Sequence, residues 1–367
     1  MGFKIENGVL VKYTGKDKDV VIPDGVTSIG NKAFSHCQSL QTINMPNGVT
    51  NIGNYAFMLC KNLQSVTIPN SVTGIGEGAF QWCGDLQSIT IPDSVTSIGD
   101  SAFCGCEKLT SVILPDGADI GNGAFRGCKR LADPEGFVVF KGVLYDYCGR
   151  SQKVVVPDGV TSVGRIAFCG CDRVKSIVIP NSVTSIGGDA FSYCRNLTSV
   201  TLPDSLTSIG KRTFEECSRL TSITIPDSVT SIGERAFYNC SSLTSITLPD
   251  GLTSIGNWAL FDCEKLTGIT IPDSVTSIGY GAFYGCKGLA DPEGFVIFKG
   301  VLYGYFGKST EITVPDSVMS IGYGAFSGCS SLTSIALPDS VTSIGYGAFS
   351  GCSSLTSIAL PDSVTSI

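Results

Sequence analysis

The sequence is poor in the residue types from which catalytic and nucleic-acid-binding sites are commonly built. Its 367 residues include a single histidine, His36, and only 16% are charged, with 32 acidic residues against 25 lysines and arginines and a net charge of −7. Binding to nucleic acid depends on clustered lysine and arginine that neutralise phosphates. The sequence has no such cluster, so its composition argues against a nucleic-acid partner.

Long apolar runs are also missing. No stretch approaches the roughly 18 apolar residues that a membrane-spanning helix needs. The first residues do not resemble a secretory signal peptide, because Met1 leads directly into a structural motif at Phe3. We therefore expect a cytoplasmic protein if Met1 is the native start, and a secreted or cell-surface protein if an export signal has been removed.

One repeated phrase accounts for almost the whole chain, and it is clearest at residues 226–248. A fixed period of this length is typical of solenoid proteins, in which each repeat contacts only its neighbours. Successive copies open with a proline, and within each run the prolines are evenly spaced: Pro23, Pro46, Pro69, Pro92 and Pro115, then Pro157, Pro180, Pro203, Pro226, Pro249 and Pro272, then Pro315, Pro338 and Pro361.

Each repeat contains the pattern of a short strand followed by a turn. Ile246 and Leu248 alternate with Ser245 and Thr247, which is the period of a strand with one buried face. The glycine seven residues after each proline is expected to turn the chain through a positive φ. Residues 234–241 are the only part of the repeat with helical character, and a helix of two turns at most is predicted there.

The repeated phrase Leu-x-x-Ile-x-Leu-Pro-x-x-Val-x-x-Ile-Gly-x-x-Ala-Phe-x-x-Cys, which runs over essentially the whole chain, resembles the BspA-type or Treponema-type leucine-rich repeat. The resemblance implies an α/β fold, a right-handed leucine-rich-repeat solenoid with a parallel β-sheet on the concave face. Short extended segments and short helices would form the other side. The resemblance also implies adhesion, because members of this family are often bacterial surface proteins that bind host matrix proteins or other cells.

Departures from the period divide the chain into three modules, and each begins with two alternating strands joined by a tight turn. Module 1 spans residues 1–131 with a hairpin at 3–13, module 2 spans 132–289 with a hairpin insertion at 137–147, and module 3 spans 290–367 with a hairpin insertion at 295–305. We predict a single continuous solenoid over residues 1–367, with the internal hairpins projecting from its edge. No C-terminal capping repeat is recognisable, so self-association through that end is a further expectation.

Cysteine is abundant, but its spacing indicates neither disulfides nor a metal site. Of 16 cysteines, 13 recur at one fixed position of the repeat, the position of Cys240, where the pattern predicts a column of buried thiols. Cys104, Cys148 and Cys169 lie outside this column, and no second cysteine pair or histidine completes a zinc site. We predict no metal and no cofactor, and the many free thiols favour a reducing compartment.

The sequence predicts no catalytic residues. An activated serine would need a neighbouring base, and the pattern provides none. Serine and threonine nevertheless alternate along the outward face of the predicted sheet, as at Ser222 and Thr224. A carbohydrate-binding or carbohydrate-active protein that uses this Ser/Thr sheet face is therefore the alternative function, although such a face is more often only a soluble, strand-favouring surface. Catalysis there would require paired carboxylates.

Aromatic residues vary most between repeats, and they are the candidate partner-binding residues. They lie around the Ala-Phe pair and the cysteine of each repeat, and exposed Tyr and Trp are enriched in protein interfaces. The alternative is that each ring covers the neighbouring repeat and seals the core. The candidates are Tyr55, Trp82, Tyr193, Tyr238, Trp258, Tyr280, Tyr284, Tyr323 and Tyr346. The sequence thus predicts a non-enzymatic repeat scaffold that binds a macromolecule, with protein, from a host or endogenous, as the favoured partner.

Overall fold

A computed structural model describes residues 2–367 of the chain. Contacts divide it into two units, the first made of residues 2–150 with 163–167 and the second of residues 151–162 with 168–367. Each unit is a β-solenoid of 23-residue repeats with parallel strand pairing and almost no helix. The predicted solenoid with parallel sheets is therefore confirmed.

In the first unit, each repeat contributes a three-residue strand before its proline and a two-residue strand after it. The three-residue strands are Asp19–Val21, Thr42–Asn44, Ser65–Thr67, Ser88–Thr90 and Ser111–Ile113, and the two-residue strands are Ser28–Ile29, Asn51–Ile52, Gly74–Ile75, Ser97–Ile98 and Asp119–Ile120. Hairpins at Phe3–Glu6 with Val9–Tyr13 and at Phe137–Phe140 with Val143–Tyr147, and a 3-10 helix at Lys129–Leu131, complete the unit.

The second unit repeats this arrangement. Its three-residue strands are Lys153–Val155, Ser176–Val178, Ser199–Thr201, Ser222–Thr224, Ser245–Thr247, Glu311–Thr313 and Ser334–Ala336. Its two-residue strands are Ser185–Ile186, Ser208–Ile209, Ser231–Ile232, Ser254–Ile255, Ser277–Ile278, Ser320–Ile321 and Ser343–Ile344, and Ser162–Val163 lies at the boundary between the units. A 3-10 helix at Lys287–Leu289 precedes the hairpin of Phe295–Phe298 and Val301–Tyr305.

Parallel pairing between repeats places each side chain beside the equivalent side chain of the next repeat. Ile223 pairs with Ile246 in this way, and their neighbours Ser222 and Ser245 are exposed on the other face. The same register stacks the phenylalanines of the Ala-Phe pair into core columns. Ring centroids are 5.0–5.6 Å apart from Phe34 through Phe57, Phe80 and Phe103 to Phe125, and 5.1–5.4 Å apart from Phe168 through Phe191 and Phe214 to Phe237.

The third hairpin is a layer of the stack within the second unit. The prediction that it projects from the edge of the solenoid is wrong. Val301 and Leu302 pair in parallel with Ser320 and Ile321 of the following repeat. Phe298 packs against Phe283 of the preceding repeat with 4.8 Å between ring centroids. The hairpin is held in place because its strands carry the same core-facing apolar residues as a repeat, and Leu302 is completely buried.

The segment predicted to be a short helix is a run of successive turns. Arg235 and Asn239 both have φ near 55°, and an α-helix cannot continue through such residues. The amides of Arg235, Phe237 and Asn239 donate to carbonyls of the next repeat at 2.7–2.9 Å, whereas the amides between them donate three residues back. A helix would keep all these bonds within one repeat, so the turns hold consecutive repeats together where a helix would not.

The glycine seven residues after the proline has a different role from the one we predicted. None of these glycines, such as Gly99 or Gly256, has a positive φ. Instead, the backbones of successive repeats approach so closely that a Cβ on Gly256 would lie 2.6 Å from the amide nitrogen of Glu234, and one on Gly99 would lie 2.5 Å from that of Glu77. The position is therefore restricted to glycine by contact between backbones.

Nine of the 13 cysteines at this position form the predicted buried column, and their thiols are hydrogen-bonded, whereas Cys37, Cys171, Cys329 and Cys352 are only half-buried. The Cys60 thiol donates to the carbonyl oxygen of Phe34 at 3.1 Å. Eight further fully buried cysteines make the same bond to the preceding repeat at 3.0–3.3 Å, namely Cys83, Cys106, Cys128, Cys194, Cys217, Cys240, Cys263 and Cys286. Burial raises the pKa of Cys60 to about 12 and those of Cys83 and Cys240 well above the usual value.

Thiol titration should separate two classes of cysteine in the native protein. The nine fully buried thiols should resist a charged disulfide reagent, because reaction requires an accessible thiolate. The seven half-buried cysteines should supply all the fast-reacting thiols: Cys37, Cys104, Cys148, Cys169, Cys171, Cys329 and Cys352. All 16 should react in denaturant. Fast reaction of more than seven thiols in the folded protein would contradict the buried column.

Candidate functional site

The aromatic candidates lie in the turn segment of each repeat. Within this segment the Ala-Phe pair faces the core, as Ala236 and Phe237 do with no exposed surface. The residues on either side of the pair are partly exposed. Because successive repeats of the second unit stack in register, their outward side chains lie next to one another, and aromatic residues at equivalent positions come into contact.

One row of stacked rings is formed mainly by the residue that follows the buried Phe or Leu of each turn segment. Tyr238 and Phe261 are nearly parallel, with 4.8 Å between ring centroids, and Phe261 and Tyr284 are also 4.8 Å apart. Tyr284 then contacts Tyr323, across the hairpin layer, at 5.6 Å. Four half-buried rings thus form a continuous line along the second unit.

A second row lies beside the first, nearer the start of the turn segment. Trp258 contacts Tyr280 edge to face at 5.9 Å, Tyr280 contacts Tyr323 at 4.6 Å, and Tyr323 and Tyr346 are parallel at 6.4 Å. Tyr280 is 39% exposed and Tyr346 is 80% exposed. The two rows meet at Tyr323, and we call their seven members the aromatic surface: Tyr238, Trp258, Phe261, Tyr280, Tyr284, Tyr323 and Tyr346.

A charged cluster borders this aromatic surface. The Arg235 guanidinium lies 5.3 Å from the ring centre of Tyr238 and 5.0 Å from that of Trp258, within the range of cation–π attraction. Glu215 lies 3.9 Å from Arg235 and 3.6 Å from Arg212. Burial raises the pKa of Glu215, and the two arginines oppose that shift. A largely buried carboxylate therefore helps to hold Arg235 against the rings.

Three of the predicted residues lie outside the aromatic surface. Tyr55 bonds through its hydroxyl to Glu77, and its ring has the Lys32 ammonium 5.9 Å away. Trp82 is 48% exposed and Tyr193 is 40% exposed. Within residues 2–367, none of these three rings contacts another aromatic ring. The nine candidates are thus six clustered residues and three isolated ones, and Phe261, which varies between repeats in the same way, is the seventh ring of the cluster.

Glycines in the sequence indicate where three of the aromatic rings pack, and this signal was not used in the prediction. A Cβ on Gly78 would lie 2.5 Å from the Tyr55 ring, one on Gly105 would lie 2.4 Å from Trp82, and one on Gly281 would lie 2.6 Å from Trp258. In each case the glycine stands one repeat later at the same repeat position as the aromatic residue. A glycine at that position of the next repeat therefore makes room for a ring to lie over it.

The face of serine and threonine offers less chemistry than the alternative function would need. Side chains such as Ser245 and Thr247 are exposed, as expected. On the described three-residue strands the outward carboxylates are Asp19 in the first unit and Glu311 in the second, and neither has an acidic neighbour in its own sheet. Over residues 2–367 no group of three His, Cys, Asp or Glu side chains could hold a metal ion.

The same part of the chain contains no helix with the length and hydrophobicity needed to cross a membrane.

Comparison with known proteins shows that the chain is similar to leucine-rich-repeat proteins. A family model for the BspA-type leucine-rich repeat region matches residues 5–132, 141–225, 207–292 and 299–367. A leucine-rich repeat protein from Eubacterium ventriosum is 25% identical over 76% of this chain and 88% of that protein, with a TM-score of 0.54. No curated protein sequence matches the chain.

Two further solved structures are similar over comparable lengths. A leucine-rich repeat protein from Bacteroides ovatus is 36% identical over 74% of this chain and 77% of that protein, with a TM-score of 0.48. A leucine-rich cell surface protein from Faecalibacterium prausnitzii is 27% identical over 74% of this chain and 90% of that protein, with a TM-score of 0.45.

Proposed function

Because this chain belongs to the BspA-type leucine-rich-repeat family, we propose that it is a non-catalytic scaffold that binds a protein partner through the aromatic surface of its second unit. The observation that carries the proposal is the contact between seven aromatic side chains from five successive turn segments. Exposed Tyr280 and Tyr346 offer apolar area to a partner without any rearrangement.

The composition of the aromatic surface favours protein over other partners. Tyr, Trp and Arg are the residues that most often dominate binding energy in protein interfaces. Rings already packed against one another lose little conformational freedom on binding. Arg235 adds a charge that a partner carboxylate can meet, whereas the overall net charge of −7 disfavours nucleic acid.

Adhesion is the role we propose for this binding, with an endogenous scaffold role as the competing outcome. The test uses the full chain as bait in parallel against host extracellular-matrix extract and lysate of the source organism. A matrix protein that is retained specifically supports adhesion, and an endogenous protein retained specifically supports the scaffold role. Retention counts as specific when substitutions in the aromatic surface reduce it.

Replacing Tyr280 and Tyr346 together with alanine should weaken partner binding about a hundredfold, since two aromatic contacts of roughly 1–2 kcal/mol each would be lost. The free energy of unfolding should change by no more than about 1 kcal/mol, because both side chains are exposed. Affinity for the captured protein and thermal unfolding should both be measured.

Trp82→Ala is the matched control, because it removes an exposed ring that lies in the first unit and outside the aromatic surface. It should leave the affinity unchanged. Equal retention of the captured protein by the wild-type chain and the double variant would refute the aromatic surface as the binding site, and loss of binding in Trp82→Ala would move the site to the first unit.

A further inference from the structure

A cavity of about 470 Å³ lies beside the third hairpin in the second unit. Its wall combines Tyr284 and Gly285 from the repeat before the hairpin, Tyr305 and Phe306 from the hairpin, and Ser327 from the repeat after it. Small-molecule sites in proteins commonly have volumes of about 300–1,000 Å³. The cavity is therefore large enough for a small ligand.

The sequence around this hairpin differs from its internal copy mainly where the cavity lies. Residues 124–150 and 282–308 differ at six of 27 positions. Three of these differences line the cavity: Arg126 is replaced by Tyr284, Asp146 by Gly304, and Cys148 by Phe306. The copy that contains the cavity has thus lost two charged residues and a thiol and gained two rings.

The replaced aspartate satisfies a backbone amide in the other copy. In the first unit, the Gly127 amide donates to the Asp146 carboxylate at 2.7 Å, and the Cys148 thiol donates to the same carboxylate at 3.1 Å. The equivalent amide belongs to Gly285, which is buried and has no hydrogen-bond acceptor among the described residues. A buried donor without an acceptor costs stability unless a ligand or water supplies one.

A second polar group at the cavity is also unpaired. In the first hairpin, the Tyr13 hydroxyl donates to the Asp17 carboxylate at 2.7 Å. Ser309 replaces that aspartate in the third hairpin, and the buried Tyr305 hydroxyl has no partner within residues 2–367. Tyr305 is only 5% exposed and lines the cavity together with Ser309. Two buried donors beside the cavity, each paired in another copy, therefore have no acceptor in this copy.

The remaining groups restrict the charge of that ligand. Asp262 lines the cavity, and burial, followed by the charge of Glu264, raises its pKa. Lys287 also lines it, but its ammonium is paired with Glu264 at 3.0 Å. A second carboxylate from a ligand would be repelled by Asp262 and Glu264. Hydroxyl groups, which can both donate to Asp262 and accept from Gly285 and Tyr305, meet all three partners.

We propose that this cavity binds a neutral pyranose sugar, whose hydroxyls pair with Gly285, Tyr305 and Asp262 while its apolar face rests on the rings of Tyr284 or Phe306. This site is separate from the Ser/Thr sheet face. It shares Tyr284 with the aromatic surface but does not depend on the protein-binding role of that surface.

Saturation-transfer NMR on the full chain tests the proposal, with glucose, galactose, mannose and N-acetylglucosamine at millimolar concentration as neutral probes and glucuronate as the charged one. We expect transfer to at least one neutral sugar. Its affinity should fall at least about tenfold in the double variant Gly304→Asp/Phe306→Cys, because this variant restores the pair present in the other copy. Tyr305→Phe should also weaken binding by several fold.

Tyr13→Phe is the matched control, because it makes the same chemical change in a hairpin whose tyrosine hydroxyl is already paired. It should leave sugar binding unchanged. The absence of transfer to every neutral sugar would overturn the proposal, as would tighter binding of glucuronate or undiminished binding by the double variant. Partner capture by the aromatic surface is measured separately, so failure of one proposal is distinguishable from failure of the other.

Discussion

Replacing Gly256 with alanine is expected to lower the free energy of unfolding of the second unit by about 3 kcal/mol. A methyl group at this position would lie 2.6 Å from the amide nitrogen of Glu234. The obstacle is backbone, which cannot rotate away as a flexible side chain can. The amide of Gly256 also donates to the carbonyl of Ile232 at 2.8 Å, so separating the two repeats to admit the methyl group would break that bond.

Gly268→Ala is the matched control, because no atom lies within 4 Å of the added methyl group and its φ is not positive. Its effect should stay within about 0.5 kcal/mol. The chain has two tryptophans, Trp82 in the first unit and Trp258 in the second. A Trp82→Phe background therefore lets fluorescence during urea unfolding report on the second unit. Equal midpoints for the two alanine variants would show that successive backbones are not in contact at Gly256.

Truncating the core phenylalanine Phe214 to alanine should lower the free energy of unfolding of the second unit by about 4 kcal/mol. Phe214 has no exposed surface, and its ring stacks between Phe191 at 5.3 Å and Phe237 at 5.4 Å. Its removal leaves a cavity that both neighbours border, so contacts are lost on two sides. Urea unfolding in the same Trp82→Phe background measures the change.

Phe214→Leu should cost much less, about 1 kcal/mol. Leucine already occupies this position in another repeat of the same unit, where Leu260 follows Phe237 and is completely buried. Equal urea midpoints for the alanine and leucine variants would show that packing in this column of rings does not contribute to the stability of the second unit.

The period of the sequence predicts much of the fold because it determines which residues are neighbours. Once Ile223 and Ile246 occupy the same position in consecutive repeats, their parallel pairing and the burial of Cys217 and Cys240 follow. The turn segment could not be inferred in this way. Local preference suggested a helix at residues 234–241, but the amide of Phe237 has its acceptor at Ala259, which lies in the next repeat and outside any local window.

The aromatic surface was predictable in composition but not in arrangement. Variation between repeats identified Tyr238, Tyr284 and Tyr323, and the same criterion selected Trp82, which contacts no other ring among the described residues. The same position of the next repeat holds an aromatic residue after Tyr238 and a glycine after Trp82. A glycine also follows Trp258, which contacts instead the neighbouring Tyr280. The cavity beside the third hairpin was not predicted, because it results from differences between two copies of a hairpin, such as Gly304 in place of Asp146.

Hydrogen bonds between equivalent positions of successive repeats allow the second unit to gain or lose a whole repeat. Residues 322–344 and 345–367 are identical, and each copy contributes one tyrosine, Tyr323 or Tyr346, to the aromatic surface. A whole repeat can therefore be gained or lost by duplication or deletion in the gene while every remaining junction keeps its partners. Copy number then determines how far the aromatic surface extends, and each added copy of this repeat lengthens that surface by one ring.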